Sequence, residues 1–245
     1  MSCRKVLLMC ALLLSTLFIF AGCSSDEENP VAPTPKSNPP EFKLKDISFP
    51  ARMESSTDQM AQRALSIVDQ VTSFEGTGCV FTPPDGAEVL AETKTAWEYS
   101  WQDASLTKRL AIVLISEQHK WQQFFTGTAD DKTYDNWRYM DAAQKIDQSM
   151  GHVYLYKAVT TQIGQEWSWY TLDNGNYVFK MQKYGEPATK IEITWESSNA
   201  GKIESYKVGT TGALVYDLVI TWDANGSGSW RTYQNGSPVD SGTWD

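Results

Sequence analysis

Histidine is scarce in this 245-residue chain, which has only His119 and His152. The two stand too far apart in sequence to form a local metal-binding motif. There is no Gly-x-Ser-x-Gly nucleophile elbow and no glycine-rich phosphate loop, so the usual signatures of serine hydrolysis and phosphate binding are missing. Positive charge is in deficit. The chain carries 21 Lys and Arg against 30 Asp and Glu, a net charge of −9. That balance argues against nucleic acid as a partner and against direct adhesion to anionic lipid, and it leaves a cationic partner or metal ions open. Long hydrophobic runs are also lacking. The run Val6 to Phe20 has about 15 residues, short of the roughly 20 that a membrane-crossing helix needs. Cysteine is sparse, with four in the whole chain.

What is present at the N-terminus has three parts. Arg4 and Lys5 form a short positive region, Val6 to Phe20 is nearly unbroken in apolarity, and small residues precede Cys23. A charged start, an apolar stretch and a small-residue cleavage site describe an export signal. The segment Phe20-Ala21-Gly22-Cys23 resembles the bacterial lipobox, in which signal peptidase II cleaves before a cysteine that carries a diacylglycerol thioether; Phe20 stands where leucine is usual. The resemblance covers the first 23 residues. It implies that residues 1–22 are a lipoprotein signal peptide, that Cys23 is lipidated, and that the membrane is the partner through that lipid. Two or three acyl chains, each adding about 0.8 kcal/mol per buried CH₂, hold a protein firmly without any segment entering the bilayer. The implied location is the cell envelope, with the outer membrane the expected site and surface exposure an option. Cys3 and Cys10 would leave with the signal. Cys79 would then be the one free thiol, and no intrachain disulfide could form. A packed, inert thiol is the favoured reading of Cys79 over a catalytic one. Loss of Arg4 and Lys5 removes two positive charges and takes the net charge of −9 to −11.

Residues 23–50 read as the lipidated N-terminus and a Pro-rich disordered tether. Pro30, Pro33, Pro35, Pro39, Pro40 and Pro50 lie here, and such segments stay extended at about 3.1 Å per residue. Ser24-Ser25-Asp26-Glu27-Glu28 is an acidic cluster similar to the surface-export signals of some Gram-negative lipoproteins, or simply a solvated linker. Residues 51–245 read as a single globular domain. Ser56-Thr57-Asp58-Gln59 fits a capping box, and Met60, Ala64, Val68 and Val71 follow at helical spacing, which predicts a helix over about 56–73. Gly76 and Gly78 should end it. An amphipathic helix of this kind must lay its stripe on something else.

From about Thr95 the period becomes two. Trp97, Tyr99 and Trp101 share a face; Trp167 and Trp169 flank Ser168. Ile191, Ile193 and Trp195 alternate with Glu192 and Thr194, and Leu218, Ile220 and Trp222 with Val219 and Thr221. These are strands with one buried face. Asp173-Asn174-Gly175, Asn199-Ala200-Gly201, Asn225-Gly226 and Asn235-Gly236 are hairpin signals. Leu106 to Trp121 fits a helix as well as a strand, and the β-branched run Leu110 to Ile115 favours a strand. There is an internal repeat. Ile193-Thr194-Trp195-Glu196 and Ile220-Thr221-Trp222-Asp223 each precede a glycine turn, with a weaker copy at Trp169. A row of similar hairpins implies a mainly β fold. The expectation is an antiparallel up-and-down meander of about 10–12 strands over residues 95–245, closed or nearly closed as a barrel to hide its edges, with the helix packed on it. The arrangement resembles Trp-rich meander domains of uncharacterised bacterial lipoproteins, a resemblance that carries no function.

No catalytic, metal or cofactor site is expected. Glu192 and Glu196 share a face of one strand but should stand about 13 Å apart at about 3.3 Å per residue, too far for the roughly 5–9.5 Å of a glycosidase pair. Asp223 to Gly228 resembles the start of a calcium loop, but Gln234 stands where a bidentate glutamate belongs, so a plain turn is favoured. The aromatic residues Trp97, Tyr99, Trp101, Trp167 and Trp169 are the candidates for a ligand-facing wall; the competing reading is that they are core. The expected function is a non-catalytic binding or structural module at the envelope, with an unknown ligand or envelope protein as partner. The alternatives are a lipocalin-like carrier of a small apolar ligand inside a barrel, and a glycan-acting hydrolase.

Overall fold

The alternation resolves into strands in a computed structural model of the chain, which describes residues 38–74 and 76–245. The described residues all fall in the unit Lys36–Asp245. Two helices come first, α1 (Ala51–Glu54) and α2 (Gln59–Thr72). Thirteen strands follow: β1 (Glu88–Glu92), β2 (Ala96–Asp103), β3 (Leu106–Ile115), β4 (Gln118–Ala129), β5 (Lys132–Lys145), β6 (Met150–Tyr156), β7 (Ile163–Thr171), β8 (Tyr177–Lys183), β9 (Thr189–Trp195), β10 (Gly201–Val208), β11 (Leu214–Trp222), β12 (Gly228–Gln234) and β13 (Ser237–Trp244). They form one sheet in sequence order, each pairing antiparallel with the next. Up-and-down connectivity is therefore as the sequence implied. The meander starts at Glu88 rather than about Thr95, and it has thirteen strands rather than 10–12. The ambiguous segment is the strand β3, with Leu110 and Ile112 both 0 % exposed. The sheet is not closed by pairing: β1 and β13 are its two edges.

One face of the sheet is apolar in continuous cross-strand rows. Trp97, Ile112, Trp121, Ala142, Val153 and Trp167 stand opposite one another on six successive strands. A second row runs Trp169, Phe179, Ile193, Ile203, Ile220. All of these are buried. The other face carries partly exposed ion pairs such as Lys190–Glu192 at 3.1 Å and Arg109–Glu98 at 2.6 Å, which favour solubility more than stability.

The repeat is structural. Trp195 and Trp222 are each 4 % exposed on the apolar face, and both stand opposite Gly201. Trp244, which the sequence pattern did not single out, extends the row through Gly228. A recurring device is a glycine directly across from an indole: Gly151 and Trp169, Gly201 and Trp222, Gly228 and Trp244. A Cβ at any of the three would collide with the indole ring. The missing side chain lets the ring lie over the neighbouring strand, as in aromatic rescue of strand glycines. Gly151→Ala should therefore destabilise the domain by about 1–3 kcal/mol, although alanine ordinarily improves a strand position by lowering the entropy of the unfolded chain. The Ala143 carbonyl oxygen, 2.6 Å from the added carbon, leaves no room for relaxation. A urea midpoint unchanged by the substitution would show that the ring is free to move aside.

Helix α2 covers part of the apolar face. Its N-cap is Asp58, whose carboxylate accepts from the backbone N–H groups of Met60 (2.7 Å) and Ala61 (3.1 Å). Ser56, the expected cap, instead accepts from the Asp58 N–H at 3.1 Å, so the helix starts at Gln59. Ala61, Ala64, Val68 and Val71 are the buried stripe, and the Trp167 indole donates to the Val71 carbonyl at 3.0 Å.

The tether reading is corrected over its C-terminal part. Phe42, Leu44, Ile47 and Phe49 pack on the core and Pro50 is buried, so residues 41–50 form a strap across the sheet. Phe42 stacks on Phe81 at 3.9 Å and meets the edges of Trp121 (5.3 Å) and Trp169 (5.7 Å). The Gln144 side chain holds the Lys43 backbone from both sides, accepting at 3.5 Å and donating at 2.8 Å. Proline content favours an extended chain, but an extended chain whose alternate residues are apolar can still lie on an apolar sheet. Expected tether residues 23–37 lie outside the described residues.

Candidate functional site

The aromatic residues nominated from the sequence are mostly core. Trp97, Tyr99, Trp167 and Trp169 are 4, 7, 2 and 0 % exposed. Trp101, at the end of β2, is half-buried against the same core. None of the five lines the large groove described next. Cys23, and with it the lipidation site and the signal peptide, lies outside the described residues.

The groove runs between the strap, α2 and the turn that follows α2, with a volume of about 910 Å³. The turn exists because Phe74, Gly76 and Gly78 all adopt positive φ, at 53°, 71° and 75°. That conformation is open to glycine and costly for phenylalanine. It doubles the chain back, so that Cys79 to Phe81 return beside the strap. The turn is tied to the sheet by the Val80 N–H, which donates to Gln123 Oε1 at 3.2 Å, and by the Tyr139 hydroxyl, which donates to the Thr77 carbonyl. The walls are mixed: Phe42, Leu44, Phe49, Leu65, Val68 and Phe81 supply the apolar part, and Lys43, Lys45, Asp46, Asp69, Thr72 and Ser73 the polar part. Lys43 and Asp46 pair at 3.7 Å. The strap residues were missed by the sequence reading, although Phe42 and Leu44 alternating with Lys43 and Lys45 carry the same period-two signal as the strands.

The Cys79 thiol in the groove and the Tyr139 phenol near it are kept neutral. Burial pushes the Cys79 thiol up to about 11, with the Thr77 hydrogen bond opposing, so it stays protonated at neutral pH and is a poor nucleophile. Burial also raises Tyr139 to about 12. Elsewhere, burial lowers His119 and His152, with the Asp141 charge opposing at His152. The carboxylate pair does not gather into a site. Desolvation pushes the Glu192 carboxyl up, but hydrogen bonds and charge from Lys190 and Lys180 outweigh it and leave the group below its usual range. Glu196 lies beyond the end of β9, exposed. The calcium-like segment is a turn: Asp223 Oδ1 accepts from the N–H groups of Asn225 (2.8 Å) and Ser227 (3.1 Å). Among the described residues, no three His, Cys, Asp or Glu side chains are grouped to hold a metal ion.

A second, smaller pocket of about 210 Å³ shares the strap residues Lys45, Asp46 and Ile47 with the groove and lies against Tyr177, Trp195 and the turns at Gly175 and Asn199.

The fold and its covering define a class, an open β-meander whose apolar face is roofed by a strap and a helix. No known protein family matches the chain, and none of the curated proteins compared with it is similar enough to match.

Proposed function

We propose that this chain is an envelope lipoprotein held by lipid on Cys23, and that its meander domain is a non-catalytic binding module. The observation that carries the binding reading is the groove between strap and helix. Its volume of about 910 Å³ falls within the roughly 300–1,000 Å³ of small-ligand sites, which are mostly apolar with a few placed polar groups. Walls part apolar and part polar, with Lys43 and Lys45 among the lining residues, suit an amphiphile, its chain along Leu44, Leu65 and Phe81 and its polar end beside the lysines. The carrier alternative uses this same groove rather than a barrel interior, because the strap and α2 fill the space over the sheet. The hydrolase reading, which needs two carboxyl groups from different strands about 5–9.5 Å apart in a groove, is the weaker alternative.

A dansylated fatty acid should show saturable, blue-shifted emission with the soluble domain. Leu65→Arg, at a half-buried wall position, should abolish that signal while leaving the melting temperature within a few degrees. Equal binding by the Leu65→Arg protein would remove the groove from consideration. In cells, Cys23→Ser should move the protein out of the membrane fraction. Persistent membrane partitioning after the signal has been cleaved would disprove the anchor.

A further inference from the structure

Exposed apolar side chains are not spread evenly over the sheet. Ile115 closes β3, Ile146 follows β5, Met150 opens β6 and Leu172 follows β7. They are 50, 55, 47 and 42 % exposed. The antiparallel succession of strands puts all four at one end of the sheet. The turns there lie side by side: the Ile146 N–H donates to the Glu117 carbonyl at 3.0 Å, and the Thr171 N–H to the Ser149 carbonyl at 2.8 Å. Single exposed apolar residues need no explanation, but four on neighbouring turns mark a contact surface.

The strap runs along this same end. Gln144, which holds the Lys43 backbone, stands two residues before Ile146, and the Ser48 hydroxyl donates to Asn199 of the β9–β10 turn at 3.3 Å. The N-terminal side of the domain therefore meets the sheet beside the apolar turns. Cys23 is 20 residues before Lys43, and a chain of that length spans at most about 70 Å. A tether this short holds a surface at an effective concentration of millimolar order, so a weak contact suffices. The charges beside the apolar residues nearly balance: Lys94 and Lys145 stand with Glu117, Asp147 and Asp173, all exposed. Such a balance opposes a strongly anionic surface and suits zwitterionic headgroups, with the lysine stems lying along the boundary. A second copy of the chain fits less well, because four half-exposed side chains cover far less than the roughly 1,200 Å² of a stable protein interface. The β9–β10 and β11–β12 turns carry Glu196 and Asp223 and no exposed large apolar side chain, so the surface is confined to the turns between β3 and β8.

We infer that the end of the sheet carrying Ile115, Ile146, Met150 and Leu172 rests on a zwitterionic phospholipid surface, with these four side chains at the headgroup boundary. The inference rests on the reading of Cys23 as a lipid anchor. It adds to that reading an orientation, the turn end towards the membrane and the opposite turns, with Val159, away from it.

The test uses the full chain, purified from membranes and reconstituted into phosphatidylcholine–phosphatidylethanolamine vesicles, with an environment-sensitive nitrobenzoxadiazole probe on Ile146→Cys, Leu172→Cys or Val159→Cys. Val159 is 49 % exposed at the opposite end and serves as the control. Cys79 stays in place, and the unaltered chain treated in parallel is the blank. Flotation with the vesicles reads the anchor, and probe emission reads the docking. Probes at 146 and 172 should shift to the blue and be quenched by doxyl-labelled lipid, while the probe at 159 does neither. Ile115→Asp combined with Met150→Asp should abolish the shift at 146 while flotation is kept. Water-like emission at 146 and 172 in a chain that floats overturns the docking and leaves the anchor standing. A blue shift that doxyl lipid does not quench assigns the surface to a protein neighbour and also overturns it, as does a shift at 146 that survives the two aspartates. A chain that fails to float overturns the anchor, and the docking with it.

Discussion

Deleting residues 38–50 should lower the melting temperature of the domain by about 10 °C or more, or abolish cooperative unfolding. The deletion removes Phe42, Leu44, Ile47 and Phe49, all packed on the core. Burial of an apolar side chain of this size is worth up to about 1.5–3 kcal/mol. The loss continues beyond the strap itself. Phe42 lies between Phe81 and the edges of Trp121 and Trp169, and Phe49 sits 5.6 Å from Trp222. Without the strap, those indoles face water. The Gln144 side chain, 4 % exposed, would lose both of its bonds to Lys43. A net loss of about 4 kcal/mol corresponds to roughly 8–16 °C for a domain of this size. Composition alone predicts the opposite, a neutral deletion, because the segment reads as tether. Calorimetry on the truncated chain decides between them. A melting temperature within about 2 °C of the intact domain would mean that the strap contributes no net stability.

Trp222→Ala should cost about 3–5 kcal/mol. The ring is 4 % exposed, lies over Gly201, contacts Phe49 and donates to the Asn199 carbonyl. Truncation leaves a cavity that Gly201 cannot fill, since it has no side chain to move into the space. It also removes the hydrogen bond to the Asn199 carbonyl. Trp222→Tyr should cost less, because much of the ring area remains. A guanidinium denaturation midpoint unmoved by Trp222→Ala would remove this tryptophan from the core and give it to a ligand site instead.

Much of the sheet was legible because its signals are local. Ile193 and Trp195 on one side of a strand, Glu192 and Thr194 on the other, and a glycine turn following define a strand, its buried face and the partner that comes next. The helix was legible for the same reason, from Ala64, Val68 and Val71, although its cap was assigned to Ser56 and belongs to Asp58. The residues of the candidate ligand wall are mostly core. Alternation shows that Trp97, Tyr99, Trp167 and Trp169 share a face, but it does not show what covers that face. Phe42 reaches Trp169 and Val71 reaches Trp167 across long stretches of chain, and no short-range pattern records such contacts. The small pocket was invisible for a related reason. Trp195 and Trp222 look equivalent in sequence, but Trp222 stands between Gly201 and Gly228, whereas Trp195 stands between Gly201 and Tyr177.

The sequence by itself determined the strands, their antiparallel succession and the shared face of the repeated tryptophans. A period of two and a tight turn are properties of neighbouring residues. Only the tertiary structure decided three further matters. It placed the strap and α2 over the apolar face, it left β1 and β13 as separate edges, and it opened the groove and the small pocket beside the strap. Closure of a sheet depends on twist and stagger accumulated over all thirteen strands, which no single residue encodes. Covering depends on which distant apolar segments find the face first and fill it best, a competition settled by packing and not by local pattern.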